Sequence, residues 1–273
     1  MITFPNAKIN LGLNIVSRRP DGYHNIETVF YPIPLTDSLE IVPAEGQEST
    51  LTCYGRVVDC PTEKNLVMKA YRMMEKEFGL PPVDIYLVKH IPDGAGLGGG
   101  SSDASFCMKM LNDMFELGCT DEQLAKMASK IGADCPFFIH NKPMMATGIG
   151  DEFTPTDVCL KGKHMLLVKP DVSVPTKAAY AQVTPAPSAK PIPEILSDGM
   201  ENWQKELVND FEKSVFAQYP SLAEIKRTLL ESGASYAAMS GSGSSIFGIF
   251  SCAEMAEKAA DNFKEYSHFV IQL

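Results

Sequence analysis

The length, composition and charge of this chain exclude several classes of protein. Its 273 residues can form one large domain or two ordinary ones, and a hydrophobic content of 45% supports a buried core. The formal net charge of −10, without any basic run, argues against nucleic acid as a partner. No stretch approaches the length of about 20 apolar residues that crosses a bilayer, so no membrane partner is expected.

The cysteines and histidines give no sign of a cross-linked or metal-holding framework. Seven cysteines are scattered, odd in number and without a C-x-x-C pair, and five histidines are widely spaced. This pattern predicts reduced thiols in a cytoplasmic protein and no metal site built from side chains. The N-terminus lacks a basic region followed by an apolar stretch, so no signal peptide is expected.

The first half of the chain alternates between strand and helix patterns. Residues 7–16 alternate, so a strand is predicted that presents Lys8 and Asn10 side by side on the face opposite Ile9 and Leu11. On local grounds alone, an ordinary solvated face is the better interpretation of Lys8 and Asn10. The remaining predictions are strands over 27–33, 38–42 and 84–90, and a helix with an apolar stripe from 66 to 78.

Five glycines within seven residues form the most informative segment. Gly94, Gly96, Gly98, Gly99 and Gly100 lie between the strand at 84–90 and a helical pattern that starts near Ala104. Free N–H groups of such a loop and of the first helical turn point outward, and the helix dipole favours negative charge there. The segment therefore predicts a phosphate-binding loop for a nucleotide, with Ser101 and Ser102 as a helix cap or as hydroxyls near phosphate and metal.

Three other interpretations of this glycine-rich segment fit the sequence less well. The P-loop pattern requires Gly-Lys-Ser/Thr, whereas Gly100 is followed by Ser101. The dinucleotide pattern G-x-G-x-x-G is present at Gly94, Gly96 and Gly99, but a capping box at Thr120–Gln123 predicts a second helix next instead of a strand. A mobile glycine linker is disfavoured by the strand and helix on either side.

The composition changes around residues 150–164, which divides the chain into predicted domains at 1–155 and 156–273. In the second domain, strands are predicted over 164–169, 235–240, 245–250 and 268–273, with helices over 222–230 and 255–263 and an irregular proline-rich stretch over 182–195. Gly233 is expected to cap the first of these helices. The order of elements suggests a ferredoxin-like α+β sandwich.

Four further polar segments supply what phosphoryl transfer needs, although none is persuasive alone. They contain Lys8 with Asn10, Asp134, the turn Asp21–His24, and a second glycine loop at Gly241–Ser245. The corresponding non-functional interpretations, in the same order, are a solvated strand face, a surface turn, hairpin packing and a flexible hairpin. Together with the first loop, the segments offer a phosphate cradle, a cation, a carboxylate and a second backbone contact.

Three segments together resemble the motifs of the GHMP kinases. They are Pro5-Asn-Ala-Lys-Ile-Asn-Leu-Gly-Leu13, Pro92–Ala104 and Met239-Ser-Gly-Ser-Gly-Ser-Ser-Ile-Phe247, which span nearly the whole chain. Within this superfamily, Asp21-Gly-Tyr-His24 and Gly132-Ala-Asp-Cys-Pro136 resemble the 4-diphosphocytidyl-2-C-methyl-D-erythritol kinase family. The one departure is a mild one, a Ser in the third motif where relatives often have Thr.

The resemblance implies an α+β, two-domain GHMP kinase fold. Its N-terminal, ATP-binding domain would be like domain 2 of ribosomal protein S5, and its C-terminal domain would be ferredoxin-like. The implied activity is transfer of the γ-phosphate of ATP, with Mg²⁺, to the 2-hydroxyl of 4-diphosphocytidyl-2-C-methyl-D-erythritol, in the non-mevalonate route to isoprenoids. A small-molecule substrate is thus the expected partner, while monomer and homodimer both stay open.

The same resemblance assigns roles to individual residues. Asp134 would accept the proton of the substrate hydroxyl or position that hydroxyl, and Lys8 would keep it ionised and stabilise the transferring phosphoryl group. Asn65 would contact adenosine. The residues expected to hold the ATP phosphates are Pro92, Asp93, Gly94, Ala95, Gly96, Leu97, Gly98, Gly99, Gly100, Ser101 and Ser102. The residues expected to contact the substrate are Asn10, Tyr23, His24, Thr176, Gly241, Ser242 and Gly243.

Three other functions compete with this one on the sequence alone, and the last two are disfavoured. A different small-molecule kinase of the same superfamily would share the three motifs. A non-catalytic nucleotide sensor would tolerate loss of Lys8 or Asp134, and both residues are present. An oxidoreductase with a dinucleotide fold would need a strand after the first helix.

Overall fold

The computed structural model describes residues 1–57 and 60–273, in which strands and helices follow one another from end to end. The strands are β1 (Ile2–Thr3), β2 (Asn6–Arg18), β3 (His24–Thr36), β4 (Ser38–Pro43), β5 (Thr50–Gly55), β6 (Val83–Lys89), β7 (Met144–Thr147), β8 (Glu152–Pro155), β9 (His164–Lys169), β10 (Tyr236–Met239), β11 (Ile246–Phe250) and β12 (Ser267–Gln272). The helices are α1 (Leu66–Phe78), α2 (Gly99–Met114), α3 (Asp121–Ala128), α4 (Cys135–His140), α5 (Thr176–Ala181), α6 (Ile192–Ser197), α7 (Met200–Glu206), α8 (Phe211–Gln218), α9 (Pro220–Glu231) and α10 (Ala253–Ala260), with 3₁₀ turns at Thr62–Lys64 and Asp261–Phe263.

By packing, the chain divides into two compact units that interleave along the sequence. Unit 1 consists of Met1–Ala7, Leu35–Asp93 and Gly98–Lys142. Unit 2 consists of Lys8–Pro34, Gly94–Leu97 and Pro143–Leu273. These units describe packing, and the domain boundary near residue 155 stays a prediction.

Unit 1 combines a four-stranded sheet with helices α1 to α4. The sheet order is β1-β4-β6-β5, with β4 antiparallel and β5 parallel to β6. The apolar stripe of α1, which includes Met68 and Tyr71, packs on β4, β6 and α2 to form one core. The helix α1 ends where Gly79 adopts φ 66°, as its position after the stripe predicts. The capping box at Thr120 and Gln123 opens α3 as expected.

Unit 2 contains two sheets. The first has the order β2-β3-β7-β8 and carries Lys8 and Asn10 on its first strand. The second has the order β10-β11-β9-β12 with antiparallel neighbours throughout. Its chain order of strand, helices, two strands, helix and strand is the ferredoxin-like arrangement expected from the sequence. Helices α8, α9 and α10 cover the sheet with apolar side chains.

Several elements depart from the expectations. The edge strand β5 and the hairpin β7–β8 were not predicted, because β5 is mostly exposed and carries no clear apolar alternation. The helix α6 starts inside the stretch 182–195, which was expected to be irregular throughout. The helix α9, in contrast, ends as expected: Gly233 follows the cap residue Ser232 in a Schellman motif, in which the Gly233 N–H donates to the Leu230 carbonyl and the Ala234 N–H to the Leu229 carbonyl. Gly233 follows with φ 95°, which suits glycine.

Candidate functional site

The glycine loop joins β6 to α2 and uses glycine where the backbone requires it. Gly94, Gly96 and Gly98 adopt φ values of 57°, 75° and 70°, in the left-handed region that other residues reach only at a cost. Gly98 is the N-cap of α2. The loop is therefore an ordered turn with a defined backbone conformation, and the interpretation of this segment as a mobile linker is wrong.

Residues 94–97 of this loop pack within unit 2 against the second glycine loop. A Cβ added to Gly96 would lie 2.0 Å from the carbonyl oxygen of Ser240, so no side chain fits there. The Ser240 hydroxyl donates to the carbonyl oxygen of Gly96 at 2.8 Å. The Ser245 N–H donates to the carbonyl of Ala95 at 3.3 Å. The two glycine-rich segments thus meet backbone to backbone.

Residues 98–102 lie at the start of helix α2 in unit 1 and carry the donor groups that an anion site needs. The N–H groups of Gly99, Gly100 and Ser101 have no carbonyl one turn earlier within the helix, and the helix dipole places partial positive charge there. The Ser102 hydroxyl is fully buried and has no hydrogen-bond partner among the residues that the structure describes. A buried hydroxyl without a partner beside free N–H groups fits a bound phosphate or its metal ion.

A cluster of three buried charges, which we call the Lys89 cluster, lies behind this loop in unit 1. The Lys89 ammonium at the end of β6 donates to both Asp37 and Asp103, at 2.7 Å in the case of Asp103. Burial raises the pKa of Asp103 to about 7, with Lys89 opposing the rise and Asp37 adding to it. Burial alone would lower the pKa of Lys89, but the charges of Asp103 and Asp37 raise it. No local pattern in the sequence indicates this cluster, because Asp37 and Lys89 lie 52 residues apart.

Lys8 lies in unit 2 and is buried, with only 3% of its surface exposed, so the interpretation of a solvated strand face is wrong. Its ammonium donates to the Asn10 Oδ1 at 2.7 Å and to the Gly96 carbonyl at 3.1 Å, and it lies 4.6 Å from the ring centre of Phe30. The Asn10 amide donates in turn to the Thr28 hydroxyl at 2.9 Å, which donates to the Gly12 carbonyl at 2.5 Å. The fold thus fixes a lysine against the glycine loop.

Asp134 lies in unit 1, directly before the short helix α4, and its carboxylate does not cap that helix. Two contacts tie this segment to the start of α2. The Ser105 hydroxyl donates to the carbonyl of Cys135 at 2.7 Å, and a Cβ on Gly132 would lie 3.8 Å from the Ser101 hydroxyl. Unit 1 therefore holds Asp134 beside the helical end of the glycine loop.

The turn at Asp21–His24 belongs to unit 2 and presents two rings. The Tyr23 side chain is exposed, with 62% of the residue accessible, while its N–H is bound by Asp21 at 3.0 Å. The His24 ring stacks on Tyr180 with 5.0 Å between ring centres, and Tyr180 meets Phe211 edge-on at 4.8 Å. Tyr180 was missed, because it lies more than 150 residues from His24 in the sequence.

The second glycine loop joins β10 to β11 and is held in place, so it is not a flexible hairpin. The Asn209 amide donates to the carbonyls of Met239 and Gly241, each at 2.8 Å. The Ser242 hydroxyl lies 3.1 Å from that of Thr176, which brings two of the expected substrate residues together. Asn209 was not recognised in the sequence, since an isolated asparagine between helices carries no signal.

Asn65 has a structural role that can coexist with an adenosine contact. Its side chain caps α1 by accepting the Val67 N–H at 2.9 Å.

All seven cysteines are free thiols, as their spacing predicts. None of the helices in the described ranges is both long and apolar enough to span a bilayer.

Comparisons with known proteins show the family to which this chain belongs. The models of the GHMP kinases N-terminal domain and of the GHMP kinases C-terminal domain match residues 65–142 and 189–268. The 4-diphosphocytidyl-2-C-methyl-D-erythritol kinase of Bacteroides fragilis is 56% identical over 260 residues, covering 94% of this chain and 95% of the relative. The protein of the same name from Parabacteroides distasonis is 54% identical over 98% of this chain and 96% of its own length. The chain belongs to the 4-diphosphocytidyl-2-C-methyl-D-erythritol kinase family of the GHMP kinases.

Solved structures extend this family assignment. A crystal structure of 4-(cytidine 5'-diphospho)-2C-methyl-D-erythritol kinase superposes with a TM-score of 0.85 at 31% identity, covering 99% of this chain and 98% of that one. The homoserine kinase of Cytophaga hutchinsonii reaches a TM-score of 0.69 at 16% identity over 98% and 95% of the two chains, which indicates a shared GHMP kinase fold only. The dinucleotide interpretation of the glycine loop is therefore wrong, and α3 follows α2 directly.

The chain of hydrogen bonds behind Lys8 gives a first test. Thr28→Val keeps the shape of the side chain but leaves the buried Asn10 amide and the Gly12 carbonyl without their partner. Loss of a buried partner should lower the free energy of unfolding by about 1–3 kcal/mol. Because a small displacement of a positioned group is costly for the reaction, kcat should fall roughly tenfold to a hundredfold. Thr28→Ser should retain both values. A valine variant with parental kcat would contradict the coupling to Lys8.

The glycine loop gives a second test. A Cβ on Gly100 would meet only Leu66, at an ordinary 3.7 Å, so Gly100→Ala fits the protein itself and should stabilise it by about 0.4–1 kcal/mol. If ATP phosphates approach this turn, the added methyl group should raise the KM for ATP several-fold. Gly46→Ala, in open space, is the matched control with unchanged kinetics. Greater stability with an unchanged KM for ATP would remove Gly100 from the phosphate site.

Proposed function

We propose that this chain transfers the γ-phosphate of ATP to the 2-hydroxyl of 4-diphosphocytidyl-2-C-methyl-D-erythritol, in the non-mevalonate route to isoprenoid precursors. The observation that carries the proposal is the identity of more than 50%, over nearly all of both chains, to kinases named for this compound. Other kinases of the superfamily share the fold at identities of about 15%. The proposal therefore distinguishes this substrate from homoserine and mevalonate.

ATP would bind with its phosphates on the glycine loop. The N–H groups of Gly99, Gly100 and Ser101 supply donors, and the left-handed glycines before them let phosphate oxygens approach the backbone closely. Pro92, Asp93 and residues 94–98 would form the rest of the cradle, and Asn65, at the start of α1, would contact adenosine. Donors fixed by the fold need no reorganisation when negative charge develops on the phosphates.

Lys8 and Asp134 would act on the reacting groups themselves. Phosphoryl transfer depends mainly on positioning and on electrostatic stabilisation of the transferring group. The Lys8 ammonium, held by Asn10 and the Gly96 carbonyl, would stabilise charge on that group. The Asp134 carboxylate would take the proton of the substrate hydroxyl as the new bond forms. Support comes from each unit separately, because each holds one of these residues against a part of the glycine loop.

Mg²⁺ fits the residues present. The ion keeps several waters and takes substrate phosphates plus one or two protein oxygens, so it does not need a cage of carboxylates. No group of three or more His, Cys, Asp or Glu side chains suited to a metal occurs in the part of the chain that the structure describes. The buried Ser102 hydroxyl, which lacks a partner there, is the protein oxygen that would hold the ion. When bound, Mg²⁺ would neutralise charge on the ATP phosphates.

The acceptor substrate would be recognised by residues of unit 2. His24, stacked on Tyr180, and the exposed ring of Tyr23 offer aromatic surface and a polar ring nitrogen for a cytosine base. Thr176 and Ser242, with Gly241 and Gly243, offer hydroxyl and backbone donors for the diphosphate. The Asn10 amide donates one of its two hydrogens to Thr28, and the other would contact the sugar or the diphosphate of the substrate. A cytoplasmic location and the choice between monomer and homodimer stay predictions.

Replacing Asp134 tests the proposed base. Asp134→Asn keeps the size of the side chain and removes its basicity, so kcat should fall by about 10²–10⁴. The KM for ATP should change little, and circular dichroism should be unchanged. Asp113→Asn, the same change at an exposed position of α2, should keep parental kcat. Near-full kcat in a folded Asp134→Asn variant would show that this carboxylate does not take the proton.

A substrate panel tests the proposed reaction. In an assay that couples ADP release to a readout, the diphosphocytidyl compound should be phosphorylated, whereas homoserine, mevalonate and galactose should not be. His24→Ala should raise the KM for that compound, because a recognition group for the base is lost, and should leave the KM for ATP nearly unchanged. If methylerythritol phosphate without cytidine reacted at comparable kcat/KM, the base would not be recognised and the substrate assignment would fail.

A further inference from the structure

The Lys89 cluster has no part in the reaction proposed above. The side chains of Lys89, Asp37 and Asp103 are only 5%, 0% and 2% exposed. Charges are costly to bury, and apolar replacements of a buried ion cluster often leave stability unchanged or improve it. Stability alone therefore gives no reason to place three charged groups at this point of unit 1.

One side of the cluster holds the chain where it enters the glycine loop. Asp37 occupies the single residue between β3 and β4, and one of its oxygens accepts the N–H groups of His90 and Ile91, at 2.5 and 2.8 Å. These are the two residues that leave β6. The other oxygen binds the Lys89 ammonium. The Asp37 carboxylate thus connects the start of the glycine loop to the Lys89 ammonium.

The other side of the cluster holds the chain where it leaves the loop. Asp103 lies in the second turn of α2, and its Oδ2 accepts from Lys89 at 2.7 Å. The Gly99 backbone packs directly over the same lysine, because a Cβ there would lie 3.3 Å from the ammonium and 3.0 Å from Ile91. Entry and exit of the loop are therefore both anchored on one charged group.

We propose that Lys89 and Asp103 are positioning residues for ATP, which act by holding the two ends of the glycine loop so that its N–H groups face the phosphates before ATP arrives. A loop fixed in its binding conformation loses less conformational entropy when the ligand binds, so the effect falls on ATP affinity. The inference rests on the proposed function, in which this loop binds ATP. It assigns no contact with ATP to either residue.

Paired substitutions separate positioning from bulk packing. Asp103→Asn keeps a carbonyl oxygen for Lys89, whereas Asp103→Leu has similar size and no acceptor. The leucine variant should raise the Kd of a non-hydrolysable ATP analogue, measured by calorimetry, on the order of tenfold, the scale on which partners that orient a binding group act. The asparagine variant should stay within about threefold of the parent. The KM for the acceptor substrate should be unchanged in both.

Because Lys89→Met alone strands two buried carboxylates, it is combined with Asp103→Leu. This double variant leaves Asp37 on its two backbone donors and keeps the net charge of the cluster, so it should fold and still bind the analogue weakly. Val83→Ala, a buried position at the other end of β6, is the control for general destabilisation and should keep the parental Kd. Thermal melting of every variant confirms that folded protein is compared.

The outcomes decide between the alternatives. Equal Kd values for Asp103→Leu and Asp103→Asn, at any level, would overturn the proposal, and so would a tenfold weaker Kd in Val83→Ala. If the double variant does not fold, the two Asp103 variants decide. The parent protein tests the proposed function separately: failure of the parent to bind the analogue would refute ATP as the loop's ligand and not the anchoring by Lys89.

Discussion

The contact at Gly96 is the constraint on which the arrangement in unit 2 depends. Because Gly96 has no side chain, its backbone lies directly against the carbonyl of Ser240, and its own carbonyl oxygen accepts from both the Ser240 hydroxyl and the Lys8 ammonium. A side chain at this position would separate the two glycine-rich segments and remove a partner from the buried lysine. The Gly96 carbonyl thus contacts both the second glycine loop and the Lys8 ammonium, and so fixes the first glycine loop relative to each of them.

Two buried lysines, Lys8 and Lys89, each donate to two acceptors of the protein. Lys8 has Asn10 and a carbonyl oxygen, and Lys89 has two carboxylates, so the fold fixes both ammonium groups without help from a ligand. Charges that the fold fixes in advance need no reorganisation when a charged ligand binds or reacts beside them. An acidic net charge is compatible with phosphate chemistry where buried lysines lie beside the glycine loop, as Lys8 and Lys89 do.

Local signals made much of the fold predictable, and long-range contacts account for the rest. Alternation at 7–16, the stripe of α1 and the capping box of α3 act within a few residues, so each was read correctly from the sequence. Other features join segments that lie far apart in the chain. They are the burial of Lys8, the stacking of Tyr180 on His24, and the hydrogen bonds from Asn209 to the second glycine loop. The motif residues could be recognised through a family resemblance, whereas their supporting partners, Thr28 and Asp37 among them, carry no local pattern.

The interleaving of the two units has a consequence for how the protein is made. The strand β2, which carries Lys8, is synthesised long before the residues that bind one of its edges: its N–H groups at Leu13 and Ile15 are bound by Val208 and Asp210, and the Ile15 carbonyl accepts the N–H of Ala186. Domains generally fold during synthesis, from the N-terminus onward. Here β2 pairs with β3, which follows it closely in the chain, whereas its other edge stays open until residues 186–210 have been translated. The nascent polypeptide therefore carries an open strand edge during that part of its synthesis, when chaperones that shield such edges would have the longest opportunity to act.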